Sequence, residues 1–404
     1  MKTDPEGAGL DERQLARIEA HFMSRYIEPG KIAGCQVAVT RRGSLGYFRS
    51  FGLMDRERQR AVEDDTIWRL YSMTKPIVGV ALMQLYETGE FQLNDPVHRW
   101  LPEWRGLKVR GPDGTLVEPE RPMNVKDCLM HTTGLGWGID PPLTMDKFLP
   151  AMMAVRGGRD GTLADMVTIL AGKPLEFSPG TQWLYGLSTD ICGRLVEVMS
   201  GQSLDDYLDE HIFGPLGMVD TGFSVRPQSA SRLAANYIRT GKKELRLLED
   251  PGQSTYLHHP KFLSGGGGLA GTTADYLRFT QMLVGGGELD GVRVLGRKTV
   301  ELMAQNHLPG GAELASFAAP GGYGETGFDG VGFGLTMAVG LGPVATATVG
   351  SAGDFYWGGA ASTAFWVDPA EDLTVVFMTQ QMPSGTFNFR GQLRTLVYPA
   401  LVDL

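Results

Sequence analysis

Cysteine is scarce in this chain of 404 residues. Only Cys35, Cys128 and Cys192 occur, each among apolar neighbours. That number and spacing exclude a disulfide framework and a cysteine zinc site, and suit reduced, buried thiols. Long apolar runs are missing as well. No stretch reaches the eighteen residues that a membrane span requires. The N-terminal "MKTDPEGAGLDERQLARIEAHFM" carries no apolar segment of the secretory kind. Charge of one sign is nowhere concentrated, and the net charge of −9 disfavours a phosphate-backbone partner. These absences predict a cytoplasmic protein that engages neither nucleic acid nor membrane.

Several active-site signatures are also absent. No G-x-S-x-G occurs; the nearest miss, "GLSTD", ends in Asp190. An α/β-hydrolase elbow, which needs both glycines, is thereby disfavoured. Gly266, Gly268 and Gly271 fit G-x-G-x-x-G only formally, because no clear strand precedes them. "GVRVLGRKT" has Arg297 where a phosphate loop needs lysine. His131 and the pair His258–His259 lack metal-ligand spacing, and read as structural or loop residues.

Glycine is what the chain has in excess, with 55 residues, about twice average usage. It clusters at 264–273, 284–291 and 310–333, which predicts long ordered loops in the last third. Periodicity predicts an amphipathic helix over 11–27 and a hairpin over 34–52. A buried helix follows over 72–88, closed by Gly89. Mostly helical pattern runs from 95 to 235, with helix starts at Ser188 and Ser203. An Asp290-Gly291 hairpin, two β-rich runs in "STAFWVDPAEDLTVVFMTQ" and a helix near 387–401 complete the chain. Strands at both ends and helices between them predict an α+β fold. One domain, with an antiparallel sheet from residues 1–94 and 236–404, would meet a mostly helical domain, 95–235, at the active site.

One residue is out of place in this pattern. Lys75 sits in "WRLYSMTKPIVGVALMQLYETG", an otherwise apolar run, and ammonium groups are rarely buried without a partner. Ser72 precedes it by three residues and so shares its helix face. A helix starting at Ser72 puts the hydroxyl at the positive end of the dipole. Desolvation by Trp68, Tyr71, Ile77 and Val78 favours a neutral amine able to accept the serine proton. An S-x-x-K alone arises by chance about once in a chain of this composition, so the motif needs company. "FSPGTQWLYGLSTDICGRLVEVMSGQS" (177–203) supplies Tyr185, held between a turn and a helix, whose phenol could relay a proton. Most tyrosines only pack, so Tyr185 counts because of the serine and lysine. In "GSAGDFYWGGAASTAFWVDP" (350–369) a glycine-rich loop runs into a strand, letting backbone approach a ligand closely.

Taken in order, these segments resemble the serine β-lactamase and penicillin-binding-protein superfamily. Within it they are most similar to the family VIII carboxylesterases, which look like class C β-lactamases. The resemblance runs over roughly residues 12–400 and rests on "SMTK", "NVKDCLMHTTGLG", "WLYGLSTDICGRLVEVMSGQS", the segment 264–303 and "YWGG". It implies a β-lactamase/transpeptidase-like fold, with Ser72 as acyl-forming nucleophile and Lys75 with Tyr185 as its base. The backbone N–H groups of Ser72 and Ala360 would form the oxyanion hole. Tyr71, Leu187, Trp357, Gly358 and Gly359 would line the substrate. Two departures stand out. Trp357-Gly358-Gly359 replaces Lys-Thr-Gly, and Leu187 replaces the asparagine of Tyr-x-Asn. Both remove polar contacts to an acylamino carboxylate and predict a small, uncharged, short-acyl ester, hydrolysed without metal or cofactor. A β-lactamase or D-alanyl peptidase, an acyltransferase sharing the acyl-enzyme, and a non-catalytic ligand-binding module are the alternatives.

Overall fold

The computed structural model describes residues 1–137, 154–155, 160–320 and 323–402. Parts of the expected helical segment, 138–153 and 156–159, fall outside the described residues, as do 321–322 of the last glycine-rich stretch.

Ten strands matter for the site: β1 (Gly34–Arg41), β2 (Ser44–Asp55), β3 (Arg60–Ala61), β4 (Ile67–Arg69), β5 (Ala270–Thr272), β6 (Val331–Phe333), β7 (Ala338–Gly340), β8 (Phe355–Gly358), β9 (Ala364–Asp368) and β10 (Leu373–Thr379). Eight of them form one antiparallel sheet in the order β6-β7-β8-β9-β10-β1-β2-β3. Its centre joins the two ends of the chain, with Val37 opposite Phe377 and Val39 opposite Val375. The expected hairpin is β1–β2, turning through Arg42 and Gly43, both at positive φ.

Alternation along β10 splits the helices between two faces. Phe377 points to α1 (Glu12–Phe22) and α7 (Phe389–Val397), its ring 5.3 Å from Phe22 and 5.0 Å from Phe389. Thr374, of opposite parity, points to α6 (Thr273–Val284) and meets Thr280 Oγ1 at 3.1 Å. The amphipathic pattern in α1 buries Leu15, Ile18 and Phe22, and Asp11 caps its N-terminus.

The apolar run becomes α2 (Thr74–Glu87), buried almost all round from Thr74 to Met83, as a helix without a polar face must be. It packs on α5 (Ser188–Ser200), which also packs on α3 (Val125–Met130) and α4 (Leu163–Ala171). Both expected helix starts are present, at Ser188 and just after Ser203, but neither serine caps with its side chain. α5 begins at Ser188 itself, whose hydroxyl bonds Thr133 instead of capping. Ser203 donates to the Asp206 carboxylate at 2.7 Å, which leaves the backbone uncapped by its side chain. In both places a nearby side chain outcompetes the backbone amide for the hydroxyl. No helix among the described residues is long and apolar enough to cross a membrane.

Candidate active site

The strand β4 pairs with β5, and Leu70 N–H donates to Leu269 O at 2.9 Å. The chain then turns sharply. Tyr71 adopts φ +48, a left-handed conformation that is costly for an aromatic residue and gathers at functional sites. Its hydroxyl is anchored by Asn236 Nδ2 at 2.9 Å. Burial pushes that phenol up to about 12. One 3₁₀ turn, Tyr71–Met73, leads into α2. Tyr276 donates to Met73 O at 3.0 Å, and Thr74 Oγ1 accepts from Leu269 N–H at 3.1 Å. Ser72 is thus held between two clamped neighbours.

Lys75 Nζ lies 3.1 Å from Ser72 Oγ and donates to Gly266 O at 2.5 Å. It also stands over the Tyr185 ring, 4.6 Å from the centroid. The Gly266 carbonyl is placed by Asp190, a buried acid near the start of α5. Asp190 Oδ1 accepts from Ser264 Oγ at 2.7 Å and from Gly266 N–H at 3.1 Å. A line of contacts therefore runs from Asp190 through Gly266 to Lys75 and Ser72.

Tyr185 completes the cluster. Its hydroxyl is hydrogen-bonded to Ser72 and accepts from the Trp357 indole N–H at 3.2 Å. Burial, reinforced by the Glu325 charge, pushes the phenol well above its ordinary value; those two hydrogen bonds pull more weakly the other way. Trp183 stacks on the ring at 5.9 Å and the His131 ring lies 4.8 Å away. His131 is fully buried at φ +58, and burial with the Lys75 charge holds its imidazole well below 6.5. The next residue must be glycine: a Cβ on Gly186 would lie 1.7 Å from Gly136 O.

Ser72 and Lys75 open onto a cleft of about 460 Å³, whose other walls include Tyr71, Trp137, Phe223, Tyr256, Phe262 and Ala360. Of the residues predicted to line the substrate, Tyr71 borders this cleft. Ala360, named for the oxyanion hole, borders the same cleft at the turn between β8 and β9. Leu187 and Trp357 are wholly buried and do not border it; Gly186 takes the first position, and Trp357 turns inward to Tyr185. Gly358 is a paired strand residue opposite Ala364, and Gly359 lines a neighbouring cavity with Tyr323 and Arg390. For Trp357 and Gly358 the cause is the strand they sit on. Consecutive residues of a strand face opposite sides, so "YWGG" cannot place all its members on one wall.

Sequence reasoning missed Asp190, Gly266, Trp137, Phe223, Tyr256 and Phe262. Asp190 alone carried a signal, as an acid in the first turn of an expected helix that has no other acid until Glu197. The others come from loops whose approach to Ser72 exists only in the fold. Among the described residues no cluster of histidines, cysteines and acids suits a metal ion.

An antiparallel sheet drawn from both chain ends, with Ser-x-x-Lys opening a buried helix beside it, is the architecture of the β-lactamase and transpeptidase-like proteins. The Beta-lactamase family model matches residues 15–398, and the chain belongs to that family. Esterase EstB of Burkholderia gladioli is 32% identical over 401 residues, covering 95% of this chain and 94% of the relative. Among solved structures, EstCE1, described as a hydrolase with promiscuous acyltransferase activity, superposes with TM-score 0.80 at 26% identity, covering 96% and 99% of the two chains. A mutant of simvastatin synthase from Aspergillus terreus superposes with TM-score 0.79 at 25% identity, covering 96% and 94%.

Proposed function

We propose that the chain is a serine carboxylesterase that hydrolyses small, uncharged, short-acyl esters through an acyl-enzyme on Ser72. The observation that carries this reading is the 3.1 Å contact between Lys75 Nζ and Ser72 Oγ beneath a largely apolar cleft. As a neutral amine, Lys75 keeps one N–H on Gly266 O and turns its lone pair to the serine O–H. Ser72 Oγ attacks the ester carbonyl while its proton passes to Lys75. The backbone N–H groups of Ser72 and Ala360 meet the oxyanion. Collapse expels the alcohol oxygen, which takes its proton from Lys75 by way of the Tyr185 hydroxyl. Water then attacks the acyl carbonyl and gives a proton to Lys75 by the same route; collapse breaks the bond to Ser72 Oγ, which takes that proton back from Lys75, and the acid leaves.

Tyr185 acts here as a relay and not as the base, because burial keeps it a phenol. Specificity for uncharged esters follows from the cleft's charges. Among its described lining residues, Lys75 and Asp190 are the only lysine, arginine, histidine, aspartate or glutamate, and both belong to the Ser72 line of contacts. A substrate carboxylate would meet no further cation, and burying an unpaired carboxylate is costly. The name of EstB supports an esterase, and the descriptions of EstCE1 and simvastatin synthase support acyl transfer as the second reading. In the same reading, residues 1–94 and 236–404 form one domain, 95–235 the other, and the cleft lies between them. The three buried free thiols suit a reducing, cytoplasmic setting.

Turnover of p-nitrophenyl acetate and butyrate against nitrocefin, with an alcohol acceptor added and omitted, tests the reading. Ester hydrolysis should dominate. Nitrocefin turnover equal to that of butyrate would replace it by a β-lactamase, and alkyl ester as main product by an acyltransferase.

A further inference from the structure

Phe223 borders two cavities at once. It lines the catalytic cleft of about 460 Å³ and also a second cavity of about 510 Å³. Among the described residues it is the only one common to both linings. The side chain is 4% exposed and lies hard against the loop that positions Lys75: a Cβ on Gly268 would fall 2.8 Å from Phe223 Cδ1. Its backbone is fixed on both sides. Gly222 exchanges hydrogen bonds with Ala270 at 3.0 and 2.9 Å, and Val225 N–H donates to Tyr256 O at 2.7 Å. A ring so held is a wall and not a flap.

Beyond the wall, the second cavity offers apolar surface from Ile67, Phe213, Met218 and Val225. The charged residues of its wall, Asp209 apart, pair largely with one another: Asp205 with His259 at 2.7 Å, and Asp220 with Arg226 and with Arg232 at 2.8 and 2.6 Å. An alkyl chain fits such a strip better than a charged group does.

We propose that Phe223 sets the acyl-chain limit, closing the acyl end of the cleft against a second cavity whose apolar strip would otherwise extend it to medium-chain acyl groups. The inference rests on the esterase reading. Tyr185, which passes the proton to the departing alcohol, marks the leaving-group side; Phe223 belongs to the wall built on Gly268, where the acyl group stays on Ser72.

The experiment compares wild type with Phe223→Leu, Phe223→Val and Phe223→Ala on p-nitrophenyl acetate, butyrate, octanoate and dodecanoate, and on a series of alkyl acetates. The octanoate-to-butyrate ratio of kcat/KM should rise with each truncation, by about tenfold or more in the alanine variant, the scale of a hydrophobic-pocket change. The alkyl acetate series should keep its wild-type profile. A second measurement needs no turnover: binding of uncharged methyl octanoate by calorimetry, in the Ser72→Ala background, should tighten by about tenfold when Phe223→Ala is added. An unchanged ratio with unchanged methyl octanoate binding would overturn the proposal, and so would a shift confined to the alcohol series. Absent ester turnover in wild type, with methyl octanoate binding still tightened, would remove the esterase reading and leave the partition standing.

Discussion

Trp357 donates its indole N–H to the Tyr185 hydroxyl at 3.2 Å, so the aromatic that stands in the third motif contacts the proposed proton relay and does not border the cleft. The bond favours the more anionic phenol against the opposing effect of burial. Trp357→Phe keeps most of the packing and removes the donor. It should lower kcat about fivefold, the worth of one ordinary hydrogen bond, with KM little changed. Steady-state kinetics on p-nitrophenyl butyrate checks this. A rise in KM alone would return Trp357 to the substrate wall.

Ser72→Ala should abolish ester hydrolysis with the circular dichroism spectrum intact, and a fluorophosphonate should label Ser72 alone. Lys75→Ala and Tyr185→Phe should each cost on the order of 10²-fold, far from additively, as expected for groups that act together. Labelling at Ser188 or Ser351 would overturn the assignment.

The pH profile separates the base from the relay. Because burial pushes the Tyr185 phenol above 10, it stays protonated through pH 10 and contributes no acid limb to kcat/KM. On the proposed mechanism Lys75 supplies the acid limb, and Tyr185→Phe should keep it while lowering the plateau. Loss of that limb in the phenylalanine variant would make phenolate the base.

Asp190 is a positioning residue. Asp190→Ala leaves the Ser264 hydroxyl and Gly266 N–H without their acceptor, at a cost of about 1–3 kcal/mol in stability. It should also lower kcat, since Gly266 O no longer holds Lys75. Asp190→Asn retains an amide oxygen where Oδ1 was and should recover most of the activity. Equal loss in both variants would assign the role to the charge, not the hydrogen bonds.

His131 sets a pH dependence of stability whose sign follows from its burial. The folded imidazole is held well below 6.5, while the unfolded chain takes up a proton near that value. Above about pH 6.5 the contribution to stability is complete. It is lost as pH falls below, by up to about 1.4 kcal/mol per unit, until the folded imidazole also protonates. His131→Asn, a residue that tolerates the left-handed φ, should flatten the fall. Urea midpoints from pH 7.5 to 5 measure it. Parallel curves for the two proteins would show that His131 does not carry the effect.

Periodicity by itself pointed to an amphipathic helix over 11–27, found as α1 at 12–22, to a hairpin over 34–52, found as β1–β2, and to a buried α2, because those patterns express local geometry. The anomaly of Lys75 was legible for the same reason: a charge in an apolar run demands a partner wherever the helix packs, and Ser72 at i−3 lies on the same face. Tyr185 was legible by resemblance, on the order of the motifs. The fold alone decided which neighbours face the cleft. Asp190 reaches Gly266 across 76 residues, and Phe223 meets Gly268 only because Gly222 pairs with Ala270. Trp357 and Leu187 turned inward for the same reason, since the pleat and the packing around Tyr185 fix side-chain direction. A linear motif names residue types at a spacing, but the wall each side chain joins depends on long-range strand pairing.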